Sequence, residues 1–340
     1  MALTKSISAL RAKLWYKVLF ADVPTILFMT RFMSPKSSSP IQVVRDLSAK
    51  PGDTVEFGLS TKLSGSGIEG DEELEGNEEE ISTFNDTLVV NQLRHAVRLK
   101  GRMDEKKVAY SMRSDAKEKL TIWWAERIDQ EILDKLGGKT TSTFANTPTA
   151  PTTNRSIWAG GVAADNSLTA VMKFDTKVID AAKEMAITAT VKVRPIRLND
   201  KQHTGESVYI MIIHPYQATS LRNDSVWNQA QRDANIRGSS NPILSGAFGI
   251  YNGVVIYQHE GVYKFNNGSA IPIARASLMG QQAAIFGIGR DEQWKEKEFD
   301  YGNKWGISAG RIFGVIKPVF NSEDYGVITV TTAAAVASTA

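Results

Sequence analysis

Residues 51–102 hold two β-prone runs separated by an acidic, glycine-rich stretch. Pro51-Gly52 marks a turn, and Thr54-Val55-Glu56-Phe57-Gly58-Leu59 then alternates polar and apolar positions as a half-buried strand does. A second β-prone run covers Phe84 to Leu99 through Leu88, Val89, Val90, Leu93, Ala96 and Val97. Between the runs Gly65, Gly67, Gly70 and Gly76 stand among acidic residues, so the pattern predicts a two-stranded ribbon with a solvated end. Strands of about ten residues would reach ~35 Å. A lone two-stranded ribbon is marginal in water and needs another surface to lie on.

The period then changes. From Met103 to Leu136, Leu120, Trp124, Ile128, Ile132 and Leu136 recur every fourth residue, with Ala116 and Trp123 widening the stripe. Asp115–Lys119 and Glu131–Lys135 are spaced as favourable helical pairs, and Gly137-Gly138 supplies a stop. The whole segment would make a rod of ~50 Å, a spine. Residues 139–170 have no pattern and read as structureless. A second helix is expected at Asp175–Thr188, an edge strand at Val191–Arg197, and a buried strand at Val208–Ile213 ending in His214-Pro215. A short helix at Asp224–Ile236 and strands at Gly253–Tyr257, Ala283–Gly287 and Gly306–Phe320 follow, before a low-complexity tail. The first fifty residues read as an extended arm, or as a small helix near Ser8–Leu19 packed on its own body; pattern alone leaves both open.

Composition adds exclusions. The chain has no cysteine, which removes disulfides, thiolate nucleophiles and zinc–thiolate sites. Its net charge of +3 is too small to announce a nucleic-acid binder. Lys17, Asp22, Pro24 and Arg31 interrupt the apolar stretch Leu14–Met33, so neither a membrane span nor a signal segment is expected. Charge is unevenly spread. Residues 1–50 carry eight Lys/Arg against two Asp, whereas residues 69–80 carry eight acids and no base. Such blocks favour exposed or partner-bound conformations and can set register between copies.

Chemical motifs are thin. Gly306-Ile307-Ser308-Ala309-Gly310 satisfies G-x-S-x-G, but all four histidines precede Ser308 and the following segment reads as strand rather than helix, so a turn is favoured over a serine-hydrolase nucleophile. Asp71 to Ser82 has glycine at the sixth position of a calcium loop but lacks the closing Glu. Gly287-Ile288-Gly289-Arg290 lacks the third glycine of a dinucleotide fingerprint. The histidines form no close pair, and His214 reads as a strand-end residue holding backbone. Trp123-Trp124 reads as core. No catalytic residue, cofactor or metal is expected. The candidate contact residues are electrostatic: Glu72, Glu73, Glu75, Glu78 and Glu79 at the ribbon's end would meet, on an adjacent copy, either the basic arm or Arg94, Arg98, Lys100 and Arg102, in a cluster that continues to Lys106 and Lys107 and otherwise reads as a solvated face. Each exposed pair is worth only ~0–1 kcal/mol and is screened by salt.

The element order of basic arm, acidic-ended hairpin, spine helix, sheet domain and terminal strand resembles the major capsid proteins of tailed bacteriophages, with the α+β Hong Kong 97-type fold. Two blocks, Tyr209 to Asp224 and Asn241 to Ile256, look like the phage N4 major capsid protein family, and Trp123-Trp124 with Asp129 and Leu133 is also similar. The resemblance implies an N-terminal arm (1–50), an E-loop hairpin (51–102), a peripheral domain with the spine helix (103–205), an axial domain (206–300), a return to the peripheral domain (301–332) and a flexible tail (333–340). It further implies self-assembly into an icosahedral head shell enclosing double-stranded DNA. The partners would be sister subunits in pentamers and hexamers, the portal, a scaffold, decoration proteins and packaged DNA touched non-specifically. The protein would reside in the virion after assembly in the host cytoplasm. Some relatives crosslink subunits through a Lys–Asn isopeptide; Lys62 lies on the hairpin, but no acceptor is identifiable and no crosslink is predicted. A nanocompartment shell, which shares the fold, and a serine hydrolase using Ser308 are the alternatives.

Overall fold

The computed structural model describes residues 27–45, 52–60, 78–107, 111–197, 207–233 and 247–335, with 63, 65, 67–69 and 75–76 at the end of the ribbon. Its first strands are β1 (Met33–Ser34), β2 (Ile41–Val44), β3 (Thr54–Ser60), β4 (Thr83–Val89) and β5 (Asn91–Arg98). Helices α1 (Arg102–Lys107) and α2 (Met112–Leu136) follow, then β6 (Ser156–Trp158), α3 (Thr176–Thr188), β7 (Ile196–Arg197) and β8 (Ser207–Ile213). The chain continues through α4 (Pro215–Arg222), α5 (Ser225–Asp233), β9 (Gly249–Tyr251), β10 (Val254–Gln258), β11 (Lys264–Asn266) and β12 (Pro272–Met279). It closes with β13 (Ala284–Phe299), β14 (Lys304–Ile316), β15 (Val319–Phe320), β16 (Glu323–Asp324) and β17 (Val327–Ala333).

The spine is shorter than the Met103–Leu136 helix expected from sequence. α2 has 25 residues, about 37 Å, because Ser111 is extended (φ −75°, ψ 104°) and its side chain accepts from the Ser114 amide, capping a new helix start. Residues 108–110, between α1 and α2, lie outside the described residues. The every-fourth stripe is buried as expected: Leu120, Trp124, Ile128, Ile132 and Leu136 are all within 2% of full burial. Glu131 and Lys135, spaced as a favourable helical pair, are also inside, at 0% and 1% side-chain exposure. Lys135 Nζ donates to the Phe144 carbonyl at 3.0 Å and to that of Asn146, and burial lowers its pKa against the pull of Glu131.

Two sheets sandwich α2 and share its core. A five-stranded sheet runs β1-β2-β13-β14-β5, and an eight-stranded sheet runs β6-β17-β12-β8-β10-β9, with β11 on β12 and β7 on β8. The unbroken apolar run of β8 now has a cause: Val208, Ile210 and Ile212 join the α2 core while Tyr209, Met211 and Ile213 join a second core under α3 to α5. Val178, Ile179, Ala182, Leu221 and Trp227 supply the helical side of that second core.

The linear division of the chain does not follow the sheets. Residues 284–299, read with the axial segment, pair with β14 in the five-stranded sheet, while β17 and α3, read as peripheral, belong to the eight-stranded sheet. Residues 139–170 are not structureless, since β6 pairs in parallel with β17; three residues are too few to show a period. The arm also differs from its reading. Residues 1–26, including the Ser8–Leu19 helix candidate, lie outside the described residues. Residues 27–44 pack on their own body, with Met29 and Ile41 fully buried and β2 parallel to β13. Asp129 of α2 accepts from the Phe28 and Met29 amides at 2.7 and 3.0 Å, which fixes the start of that segment.

Candidate assembly surfaces

The ribbon β3–β4 is anchored at its root and exposed at its end. At the root the Val90 amide donates to the Asp53 carbonyl at 2.8 Å. Asn146 takes the Val89 amide on its Oδ1 at 2.9 Å and gives its Nδ2 to the Val89 and Val315 carbonyls. Asp86 accepts from the Val319 amide at 2.9 Å, and Phe57 meets Phe320 edge-on at 6.0 Å. Leu88 is fully buried. Two glycines make the crossing possible: a Cβ on Gly287 would lie 2.3 Å from Leu88 Cδ2, and one on Gly314 would lie 2.1 Å from the Val89 carbonyl oxygen.

Beyond the root the apolar face continues without a body to cover it. Val55, Phe57 and Leu59 register with Leu88, Asp86 and Phe84, so one face of the ribbon is mostly apolar along its length. Further out Leu63 and Ile81 are 54% and 57% exposed. Glu69, Glu75, Glu78, Glu79 and Glu80 are all exposed, and Glu72 and Glu73 lie outside the described residues.

The basic candidates separate. Lys100 pairs weakly with Asp104 at 3.7 Å, and Arg102 opens α1 with its amide on the Asn303 carbonyl. Arg94 and Arg98 instead project from β5 on the side away from α2, where β14 and β13 add Lys295 and Lys297. The register brings them together: Arg98 faces Gly306, which faces Lys297, and Ala96 faces Ser308, which faces Lys295. Sequence reading missed these two lysines because they lie about 200 residues downstream. The signal was the alternation Lys295-Glu296-Lys297-Glu298, which a strand splits into a basic and an acidic face. Glu296 indeed turns to Arg113 of α2.

The G-x-S-x-G segment is the middle of β14, not a turn. Both glycines are seats for neighbours, since a Cβ on Gly306 would lie 2.7 Å from the Phe299 ring and one on Gly310 would lie 2.8 Å from Arg94 Cγ. Ser308 Oγ donates to the Lys295 carbonyl at 3.1 Å, and the adjacent His95 registers with Ala309, on the opposite face, stacked on Trp123 at 4.2 Å. Nothing there resembles a nucleophile on a strand-to-helix elbow. Gly287 and Gly289 likewise lie inside β13. His214 holds backbone as its position suggested: its Nδ1 accepts from the Tyr216 amide at 3.2 Å while Gln217 accepts from the His214 amide at 2.9 Å, a capping box for α4. Among the described residues no group of three or more His, Asp or Glu could hold a metal, and no helix is long and apolar enough to cross a membrane.

An anchored ribbon, a spine and two sheets describe a tile, and the comparisons agree. The family model described as phage capsid protein matches residues 3–336. The chain belongs to the phage capsid protein family. The major capsid protein of Pseudomonas phage KPP25 is 29% identical over 357 residues, covering 94% of each chain. The capsid of Ralstonia phage GP4 superposes with a TM-score of 0.82 at 28% identity, covering 92% of each chain. The cyanophage Pam1 capsid gives a TM-score of 0.76 at 21% identity, covering 90% of this chain and 92% of that one, which is a likeness of fold. The function is that of a phage major capsid protein with the Hong Kong 97-type α+β fold, and many copies build the capsid of the virion.

Proposed function

We propose that this phage capsid protein closes an icosahedral shell through heterologous contacts, in rings of five and six, with each ribbon lying across a sister molecule. The observation that carries this reading is the apolar face of β3–β4, which outruns the body that covers its root and leaves Leu63 and Ile81 in solvent. A ribbon of two strands is stable only against a third surface. Heterologous contacts close into rings when the rotation between copies allows it, and otherwise grow as filaments. The protein acts without catalysis, encloses double-stranded DNA, and meets portal, scaffold and decoration proteins after synthesis in the host cytoplasm.

Electron microscopy of the purified chain tests the reading alongside a variant carrying Leu63→Ser and Ile81→Ser. The wild type should form phage-sized shells. The variant should keep the melting temperature of the unassembled chain and lose the shells. Discrete particles from the wild type, or unchanged shells from the variant, would refute it.

A further inference from the structure

The outward face of the five-stranded sheet carries four cations, with the carboxylate of Asp300 near Arg98 at one end. Arg94 and Arg98 stand on β5, Lys295 and Lys297 on β13, all exposed, and between them β14 offers only Gly306, Ser308 and Gly310. Two strand spacings separate the two basic rows, about 10 Å, enough for one extended peptide to lie between them. Among the described residues none of the four takes part in an ion pair. Asp300, at one end of the face, is engaged by Lys304 at 3.4 Å. The face is also preformed: Arg98 lies over the Phe299 ring at 4.3 Å and Lys297 approaches the same ring at 5.1 Å, so the cations are held flat on an aromatic plate seated over Gly306.

The root of the chain's own ribbon runs away from this face. β5 runs beside β14 from Asn91 opposite Phe313 to Arg98 opposite Gly306, and upstream Asp86 of β4 still meets Val319 just past the end of β14. Residues 86–98 therefore keep one line along 306–319. From Thr83 to Arg98 that line is about 50 Å long. The described acids Glu75, Glu78, Glu79 and Glu80 lie upstream of Thr83, beyond one end of it, and the basic face lies at the other. A molecule with opposite charges at opposite ends of a rod associates head to tail.

We infer that the Arg94–Arg98–Lys295–Lys297 face is the seat for the acidic end, residues 69–80, of a second copy's ribbon. The inference rests on the shell reading and names the docking surface within it. The contact is electrostatic, formed from several weak exposed pairs, so it is reversible during assembly and weakens with salt.

Charge reversal tests it in three variants: Lys295→Glu with Lys297→Glu; Glu75→Lys with Glu78→Lys and Glu80→Lys; and all five together. Thermal melts of the unassembled chains check that each folds, and Lys295→Gln with Lys297→Gln serves as a milder face variant. Each reversal alone should raise the protein concentration needed for shells by about tenfold or more, and the combined variant should recover most of that loss. Unchanged assembly in the single reversals would overturn the inference while leaving wild-type shells, and hence the shell reading, intact. Loss of binding to a short DNA duplex in the face variant, with no rescue in the combined variant, would make the face a nucleic-acid contact and also overturn it. A wild type that forms no shells would instead sink the shell reading beneath it.

Discussion

Gly314 sits where the root of the ribbon crosses the five-stranded sheet, and its missing side chain is a condition of that crossing. A methyl group there would meet the Val89 carbonyl oxygen at 2.1 Å, and backbone cannot swing aside as a side chain would. Gly314→Ala should therefore cost about 1–3 kcal/mol or more in denaturant melts of the unassembled chain. Ser308→Ala, at the centre of the motif that imitates a hydrolase, removes one half-exposed hydrogen bond and should cost only about 0.5–1 kcal/mol with assembly unchanged. Equal losses from the two would show that the crossing is looser than its geometry. His214 gives a pH test. Burial, and then the Lys264 cation, lower its pKa from the ordinary 6.5, against Glu260, and His259 is lowered by burial as well. The unfolded chain takes up protons near pH 6.5 that the folded chain refuses until lower pH. The stability these residues contribute is therefore whole above pH 6.5 and drains as pH falls toward the folded values. His214→Asn keeps an N-cap acceptor and removes the titration, so the loss of stability between pH 7 and 5 should shrink. An undiminished loss would place the pH sensitivity elsewhere.

At the scale of elements, Asp129 decides how much of the arm is body. Burial raises its pKa, yet it accepts two backbone amides that begin the segment 28–44. Asp129→Ala leaves the buried Met29 amide and the half-buried Phe28 amide without this acceptor, and orphaning a buried amide costs about 1–3 kcal/mol. Amide hydrogen exchange should quicken across residues 28–44 and stay slow in β8 and β10; uniform quickening would mean that Asp129 serves the whole core instead. What was legible in sequence follows the same physics. α2, α3 and β8 were visible because packing against a core imposes a period, and the ribbon because one of its faces is apolar. β13 was read only at Ala283–Gly287, because beyond Gly287 its faces are told apart by sign of charge rather than hydrophobicity. The arm's attachment was invisible because its decisive partner, Asp129, lies 100 residues away. Of the basic candidates, Arg94 and Arg98 were found by local clustering, whereas Lys295 and Lys297 join them only through sheet register.

For the whole molecule, the arrangement of a donor end and a receiving face makes truncation more informative than point substitution. Replacing residues 61–82 by Asn-Gly would close β3 and β4 with a tight two-residue turn between Ser60 and Thr83, which already face each other in register. The root contacts through Asn146, Asp86 and Phe57 remain, so the unassembled chain should melt as the wild type does. Such a chain can receive a ribbon but cannot give one. In a ring where each subunit donates to the next, one truncated member leaves one joint unmade, and damage scales with the number of positions rather than with the fraction of bad chains. If one chain in five is truncated, only roughly a quarter of six-membered rings escape a defective joint. Mixtures should therefore lose shells much faster than in proportion to the truncated chain, as counted by sedimentation or electron microscopy. A loss that merely tracks the truncated fraction would mean that ribbons make no obligatory joint between neighbours, and the head-to-tail account of the shell would have to be replaced by one built on the two sheets alone.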